Sequence, residues 1–337
     1  MKQKFFLIVL ALLCFYTLIP AKKSGAAEGI LRPKIMKVAH NRVYISDEYS
    51  ISLFSTENFK LIKKIGRKGK GPGEFSVNPG ITCIETGILT YIPFRISFYS
   101  PSGILEKELK YNDMPWDMAF LKGNYLSKIS RFWVKKKFRT LSELLLLDNE
   151  FKKIKSFSIL RIKSASRPNK KNRPLVVPLN KFQCHEGKIY LVKGDQSNFQ
   201  IEVLDHRGSL LKIIRKDYNP IKIPDAYKIK KLEELKSKPA IKKRWHILSK
   251  IHDYTFPEYF PAIQDFRVRN GKIYVKSYRF KNENVEFFVL DLNGKLLGKY
   301  FLPDIDWRHY DIRNNSFFYL QENEDEDIWE IHSLKIQ

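Results

Sequence analysis

A short turn followed by a strand of alternating apolar and polar residues recurs six times along this 337-residue chain. Alternation with a period of two is typical of a strand that buries one face, and turns of this kind are typical of β-hairpins. The copies are Asn41–Asp47 (NRVYISD), Thr86–Ile92 (TGILTYI), Lys122–Lys128 (KGNYLSK), Glu186–Val192 (EGKIYLV), Asn270–Lys276 (NGKIYVK) and Asn314–Leu320 (NNSFFYL).

A second hairpin follows in five of the six units, so that each unit reads as four antiparallel strands. The second hairpins are Leu53–Ile62, Phe98–Lys107, Leu146–Lys155, Val203–Lys212 and Val289–Gly298. A lone four-stranded sheet leaves an apolar face in water, whereas sheets stacked radially around a channel bury it. The sequence therefore predicts an all-β, six-bladed β-propeller of four-stranded antiparallel blades, whose units begin near residues 36, 81, 117, 182, 263 and 309.

The sixth unit lacks a partner for its last strand, because the chain ends shortly after Ile328–Leu334. An open strand edge invites aggregation, so the missing outer strand must come from elsewhere in the chain. Glu28–Lys34 precedes the first unit and is otherwise unassigned. We expect this segment to complete blade six and to tie the two ends of the ring together.

The first residues have the pattern of a secretory signal peptide. Two lysines precede an apolar run, Phe5–Ile19, and small residues follow at Ser24–Ala27. This pattern predicts a signal peptide over residues 1–27, cleaved after Ala26 or Ala27, and a protein exported to the periplasm or the extracellular space. An uncleaved anchor is the alternative, although the apolar run is short for a spanning helix.

Two cysteines, Cys83 and Cys184, remain after residue 27, on inner strands of blades that are not neighbours. A disulfide between them is one alternative in an oxidising compartment. The sequence favours two buried free thiols.

The predicted strand order separates the loops onto two faces. The turns from strand one to two and from strand three to four share one face, the short-turn face, and all of them are short. The turns from strand two to three and the links between blades share the opposite face, the long-loop face, where lengths vary widely. Because function concentrates in variable loops on a rigid frame, the long-loop face is the candidate binding surface.

Three segments of the long-loop face carry most of the excess charge of a chain whose formal net charge is +25. Ile159–Lys181 has seven basic residues and no acidic one, Arg131–Arg139 has five and none, and Asp217–Pro261 has ten basic and six acidic residues. Glu322–Asp327 in blade six holds five acidic residues. We therefore expect a face that is basic on one side and acidic on the other.

The third of these segments is predicted to contain a small helical insertion before blade five, over residues 225–254. Apolar residues recur at helical spacing at Ile229, Leu232 and Leu235. Ser237 is expected to cap a second helix, with Pro239 in its first turn. The apolar stripe of that helix is expected to pack on the propeller and consists of Ile241, Trp245, Leu248 and Ile251.

No catalytic motif is visible in the sequence. The closely spaced glycines and bases of Gly66–Gly71 could cradle a phosphate, but such a cradle needs a following helix. Pro72 and Gly73 follow instead, which indicates a loop between blades.

No cofactor is predicted. A divalent cation bound in the channel is the alternative, because carboxylates and histidines from several blades can converge there. The candidate metal ligands are His185, His309, Asp265 and Glu85. Ordinary polar lining of a wet channel is the competing explanation for the same residues.

The basic segments supply the candidate ligand-binding residues, which are Arg131, Trp133, Lys135, Lys136, Lys170, Lys171 and Arg173. Such a surface attracts polyanions, and interleaved aromatic residues are one feature of single-stranded nucleic acid binding. An exported protein rarely meets nucleic acid, so a protein, an anionic glycan or another envelope component is the expected partner. A basic surface without a specific ligand is the alternative.

The loop Ile65–Phe75 (IGRKGKGPGEF), followed by Pro79 and Gly80, resembles the consensus of NHL repeats, as do Asn270–Val275 and Asp291–Lys295. From about residue 30 onward the chain is similar to secreted six-bladed β-propellers of the NHL and TolB-like superfamily. In these proteins a helical insertion before blade five ends in a segment like Pro257–Pro261. Blade three departs from the pattern, with Asp148-Asn149-Glu150 in place of the glycine turn.

The resemblance implies the propeller fold and export. Its members serve as interaction scaffolds, and a minority are lyases or hydrolases with a metal in the channel. No catalytic residue carries over, because no motif of this chain matches one. The sequence thus predicts a non-enzymatic binding propeller, with a metal-dependent hydrolase or lyase as the alternative.

Overall fold

The computed structural model describes residues 22–134, 137–162, 171–193 and 198–336. Six four-stranded antiparallel sheets form its frame, which confirms the predicted six-bladed β-propeller. Their inner strands begin at residues 33, 80, 115, 181, 265 and 310, within three residues of the predicted unit starts.

Strand β1 (Lys23–Ala26) comes first along the chain and belongs to the last blade. In each blade the first strand along the chain lies next to the channel, and the later strands lie successively further out. Blade one contains β2 (Pro33–Ala39), β3 (Arg42–Asp47), β4 (Ser50–Ser55) and β5 (Leu61–Ile65); blade two contains β6 (Gly80–Ile84), β7 (Gly87–Ile92), β8 (Arg95–Tyr99) and β9 (Leu105–Lys110); blade three contains β10 (Pro115–Leu121), β11 (Asn124–Val134), β12 (Lys137–Leu147) and β13 (Lys153–Ile162).

A two-stranded sheet lies outside the blades and is formed by β14 (Lys171–Pro174) and β19 (His252–Thr255). Blade four contains β15 (Lys181–His185), β16 (Lys188–Val192), β17 (Gln200–Leu204) and β18 (Leu210–Arg215); blade five contains β20 (Asp265–Arg269), β21 (Lys272–Lys281), β22 (Asn284–Asp291) and β23 (Leu296–Pro303); blade six contains β24 (Tyr310–Arg313), β25 (Ser316–Asn323) and β26 (Ile328–Lys335), with β1 outermost. Three helices precede blade five: α1 (Asp225–Ser237), α2 (Pro239–Lys242) and α3 (Trp245–Ile251).

Six clusters of buried apolar side chains lie between neighbouring blades, one at each interface. The cluster between blades six and one joins Val43 and Phe54 to Leu320 and Ile331. Each sheet therefore buries both of its faces against its neighbours, which is why strands such as β3 and β7 are apolar on both sides. A single blade could not bury this surface alone.

The turns between the third and fourth strands of blades three, four and five have a common construction, although the turn of blade three lacks glycine. Asp205 and Asp291 each accept two backbone N–H bonds, at 2.8 Å, from residues two and four positions further along. Asp148 does the same in blade three, at 2.9 and 2.8 Å. Phe151 takes the left-handed position there, with φ of 63°, where the other two turns have glycine. Its ring stacks on Tyr125 with centroids 4.4 Å apart, which compensates for the backbone strain.

The glycine-rich loop between blades one and two folds around the buried side chain of Phe75, which is 1% exposed. Phe75 N donates to Arg67 O at 2.8 Å, and Gly69 N donates to Phe75 O at 3.1 Å. Gly66 has φ of 76°, and a Cβ at this position would overlap the Phe75 ring. The glycine is therefore required by close approach as well as by backbone angle.

The strand that completes blade six is Lys23–Ala26, so the prediction of Glu28–Lys34 for this role is wrong although an N-terminal strand does close the ring. The register pairs Ser24 with His332 and Ala26 with Glu330. Residues 28 and 29 form a turn instead, and the carboxylate of Asp47 accepts the N–H groups of Leu31 and Arg32 at 3.1 and 2.7 Å. This turn leads the chain directly into the inner strand of blade one. Strand β1 lies inside the predicted signal peptide, so cleavage after Ala26 or Ala27 would remove it from the fold.

The helical insertion differs from its prediction in two respects. Ser237 ends helix α1, where its Oγ donates to Glu234 O at 3.0 Å, and Lys238 occupies the N-cap position of the short α2. The expected second helix is divided into α2 and α3 around Arg244. No residue of the three helices is buried, so the apolar stripe does not pack into the propeller core.

We expect Gly66→Ala to destabilise the protein far more than Gly123→Ala. Both glycines have positive φ, but a Cβ at Gly123 has nothing within 4 Å, whereas one at Gly66 meets Phe75. The left-handed angle alone costs about 1–2 kcal/mol, and the overlap should add about 1–3 kcal/mol at Gly66. Denaturant unfolding of both variants measures the difference, and equal losses of stability would contradict the role given to Phe75.

A protein that starts at Glu28 should unfold at lower temperature than one that starts at Lys22, because it lacks β1 and exposes the edge of β26. The lost backbone hydrogen bonds correspond to about 1–3 kcal/mol of unfolding free energy. Thermal unfolding of the two proteins, with N-terminal sequencing of the exported form, tests this. Equal melting temperatures would show that β1 contributes nothing to ring closure.

Candidate binding surface on the long-loop face

The three basic segments all emerge on the long-loop face, but one of them is not a loop. Arg131–Arg139 extends the hairpin of blade three, whose strands β11 and β12 are 11 residues each. Arg131 and Trp133 lie on β11, and Trp133 pairs with Phe138 across the hairpin. Lys135 and Lys136 lie outside the described residues.

The other two basic segments are joined to each other by β14 and β19, which pair in parallel. Lys171 and Arg173 lie on β14, opposite His252 and Tyr254, and Arg173 is exposed. Lys170 lies outside the described residues. Because β14 belongs to the link between blades three and four, and β19 to the link between blades four and five, the two excursions form one continuous surface.

Aromatic side chains anchor the helical insertion to blade five. Phe260 stacks on Tyr278 of β21 with centroids 4.3 Å apart and meets the edge of Tyr227 of α1 at 4.9 Å. Trp245 of α3 stacks on Tyr254 of β19 at 5.2 Å. The insertion is thus fixed at its base while its helices remain at the surface.

A rim of exposed apolar side chains surrounds the mouth of the channel on this face. Five of the six links into an inner strand contribute a large apolar residue, the start of inner strand β10 contributes the sixth, and these residues are 42–74% exposed. The members of this apolar rim are Leu31, Val77, Trp116, Val177, Tyr259 and Trp307. Exposed apolar groups in a ring bordered by charged residues are typical of an interaction surface.

A buried network of charges lies at the centre of the mouth and joins three blades. Lys181 Nζ donates to Asp265 Oδ1 at 2.6 Å, and Arg267 Nη1 donates to Asp265 Oδ2 at 2.8 Å. Tyr310 Oη donates to the same Oδ2 at 2.5 Å. Lys181 Nζ also lies 4.9 Å from the ring centroid of Trp307, which connects the network to the apolar rim.

The network holds Asp265 in its charged form. Burial acts to raise the pKa of this carboxyl, but the charges of Arg267 and Lys181 and the bond from Tyr310 outweigh it and lower the pKa below its ordinary value. Every oxygen of the carboxylate is thus occupied by this chain. Asp265 is therefore a structural centre of the mouth.

The four candidate metal ligands are not brought together. His185 lies at the short-turn end of blade four, where its Nε2 accepts a bond from Gly271 N at 3.1 Å. Glu85 is in an exposed turn on that same face, whereas His309 and Asp265 lie toward the long-loop face. His309 Nε2 is 3.2 Å from Pro33 O. Within the described ranges, no three His, Cys, Asp or Glu residues are arranged to hold a metal ion.

The other end of the channel contains a polar cavity of about 190 Å³. Lys37, Arg269 and Asp311 line it, together with Cys83 and Cys184, which are both free thiols. Burial raises the pKa of Cys83 to about 12 and also raises that of Cys184. Neither thiol is activated as a nucleophile.

Sequence reasoning missed Arg267, Tyr310 and Trp307. One signal was present: Asp265 and Arg267 are two residues apart on an inner strand, so their side chains share the face that looks into the channel. The contributions of Tyr310 and Trp307 come from another blade and depend on the three-dimensional closure.

Comparison with known proteins gives the fold and no closer assignment. No protein-family model matches the chain, and no curated protein matches it. A Bacteroides fragilis protein inferred to be exported is similar in structure, with a TM-score of 0.52 and 12% identity over 95% of this chain and 96% of that one. BamB of Moraxella catarrhalis gives 0.41 at 6% identity over 93% and 98%, and the Neurospora crassa Pan2 WD40 domain gives 0.43 at 10% over 90% and 75%. The likeness to the Bacteroides protein supports the propeller fold.

Among the described residues, no helix has both the length and the apolar character needed to cross a bilayer.

Asp265→Asn should destabilise the protein by about 3–5 kcal/mol, because it leaves Lys181 and Arg267 buried without their counter-charge. The depressed pKa of Asp265 means that its contribution is present above about pH 4 and is lost as the pH falls through the folded-state value. The variant should therefore lose less stability than the native protein between pH 6 and about pH 3. Unfolding midpoints measured across this range test it, with Glu85→Gln in an exposed turn as a control of unchanged stability. An unaltered midpoint in Asp265→Asn would contradict the network.

Proposed function

We propose that this protein is an exported, non-enzymatic binding propeller that holds a protein or an anionic glycan on its long-loop face. The observation that carries the proposal is the joining of two basic excursions through β14 and β19, beside the basic hairpin of blade three. These segments and the apolar rim lie on the same face. A partner bound there meets positive charge at the periphery and exposed aromatic side chains near the channel.

The uneven charge of this face also determines which blades an anionic partner is expected to contact. The basic segments belong to blades three and four and to the link into blade five, while Glu322–Asp327 lies at the turn between β25 and β26 in blade six. An anionic ligand is attracted to the first side and repelled from the second. The expected binding path therefore runs across blades three to five and avoids blade six.

We also propose a relationship to the NHL and TolB-like propellers. It is supported by the glycine-rich loop, whose conformation around Phe75 requires the glycine at Gly66. The turn of Asp291–Lys295 supports it as well, because the aspartate and glycine of that segment have definite structural roles. Interaction scaffolding is the activity that such a relationship favours.

Reversal of four charges in the basic segments should weaken binding of heparin, used as a probe for anionic glycans. The variant carries Lys135→Glu, Lys136→Glu, Lys170→Glu and Lys171→Glu. We expect affinity at low salt to fall more than about tenfold and its dependence on salt to flatten, because fewer charges face the ligand. Titration calorimetry at several salt concentrations measures both quantities.

The matched control reverses four lysines on outer strands and turns of blades one and two: Lys60, Lys63, Lys64 and Lys107. It changes the net charge equally and should retain most of the affinity. An unchanged affinity in the first variant, or an equal loss in the control, would contradict the assignment of the long-loop face.

A further inference from the structure

A separate cavity of about 430 Å³ lies on the short-turn face, at the seam where blade six meets blade one. Strands β1, β24 and β26 contribute Lys23, Arg313 and Lys335, and the turn of blade one contributes His40 and Asn41. The remaining lining residues are Val38, Thr56, Asn314, Ser316, Phe318 and Ser333. This seam cavity opens on the face opposite to the apolar rim.

The lining of the seam cavity is cationic. Lys23, Arg313 and Lys335 are its charged members, and no carboxylate belongs to the lining. All three are exposed, and no hydrogen bond or ion pair engages their side-chain nitrogens within the described part of the chain. Lys23 Nζ is 5.5 Å from the ring centroid of Phe59, which is buried beneath strand β1 and does not line the cavity. Three cations without counter-charges around one cavity repel each other, and a bound anion would relieve this repulsion.

Neutral hydrogen-bonding groups complete the lining. Asn41 and Asn314 supply amides, and Thr56, Ser316 and Ser333 supply hydroxyls. The backbone of both asparagines is set by tight turns, with φ of 55° and 48°. Amides and hydroxyls can both donate and accept, which suits the hydroxyl groups of a sugar as well as phosphate oxygens.

The seam cavity adjoins the channel cavity. Arg313 and Val38 line both the seam cavity and the 190 Å³ channel cavity. The channel cavity adds Lys37 and Arg269, but the carboxylates of Asp117 and Asp311 also line it, and Asp311 Oδ1 lies 3.5 Å from Arg269 Nη2. Arg313 is thus the guanidinium shared by the two cavities, and the uncompensated positive charge is concentrated in the seam cavity.

We propose that the seam cavity binds a phosphate monoester carried on a sugar-sized group. The planar guanidinium of Arg313 can hold two phosphate oxygens, and the ammonium groups of Lys23 and Lys335 can neutralise the dianion. The volume is within the range of small-ligand sites, and the amides and hydroxyls remain for the sugar. The proposal is independent of the partner on the long-loop face.

Binding at this site would also strengthen the ring. Lys23 lies on the first strand, while Arg313 and Lys335 lie on the last blade, and Asn41 and Thr56 belong to blade one. A ligand that contacts all of them bridges the two ends of the chain. A ligand that binds only the closed ring raises its apparent stability.

The test uses protein that retains Lys23 and two soluble probes, glucose 6-phosphate and glucose, in phosphate-free buffer. Calorimetry should show binding of glucose 6-phosphate and none of glucose, and the phosphate ester should raise the melting temperature. Vesicles of phosphatidylcholine with phosphatidic acid form a second arm, which presents the same phosphate monoester as a lipid headgroup. Binding of the soluble ester, or of the acidic vesicles alone, supports the site and identifies the source of the phosphate.

Lys335→Gln and Arg313→Gln should each weaken binding about tenfold through loss of one charge-assisted interaction. Lys295→Gln is the matched control, because it removes one exposed charge from the same face but lines neither cavity. Its effect should be smaller than about twofold. Absence of binding to glucose 6-phosphate and to the phosphatidic acid vesicles up to about 10 mM phosphate monoester, or equal weakening in Lys295→Gln, would overturn the proposal.

Discussion

The burial of both faces of every sheet against its neighbours is the interaction on which this structure depends. Six apolar clusters, one between each pair of blades, make the ring continuous. The contact between blades six and one must be made by residues from opposite ends of the chain. Strand β1 pairs with β26 there, and Val38 N donates to the Asp311 carboxylate at 3.0 Å. A ring held in this way stays rigid whatever the length of the segments that connect its sheets.

Because the rigidity of the ring does not depend on the length of the connecting segments, the two faces can carry loops of very different length. On the short-turn face, tight turns anchored by residues such as Asp148 and Asp205 leave little room for variation. On the long-loop face, a hairpin of 11-residue strands, a parallel strand pair and three helices extend the surface without disturbing the blades. The buried network of Asp265 holds the mouth of the channel, so the proposed binding surface surrounds a fixed centre.

The period-two alternation predicted the blades well, because burial of alternate side chains leaves a direct mark on the sequence. The closing strand was misplaced, since Lys23-Ser24-Gly25-Ala26 is short and lacks alternation; its place follows from pairing with β26 and from close packing of Gly25 on Phe59. The apolar spacing from Ile241 to Ile251 predicts a stripe that packs on the propeller, but stacking of Trp245 on Tyr254 holds helix α3 at the surface. The seam cavity could not be foreseen, because Lys23 and Arg313 meet only through ring closure.

The central functional claim is that a partner is held on the long-loop face, across the basic segments of blades three to five. Hydrogen–deuterium exchange of the protein with and without bound heparin tests this most directly. The account predicts slower exchange in residues 130–139, 159–181 and 217–261, with unchanged exchange in the turns of the short-turn face and in 322–327. Protection confined to the short-turn face, or spread evenly over both faces, would contradict it.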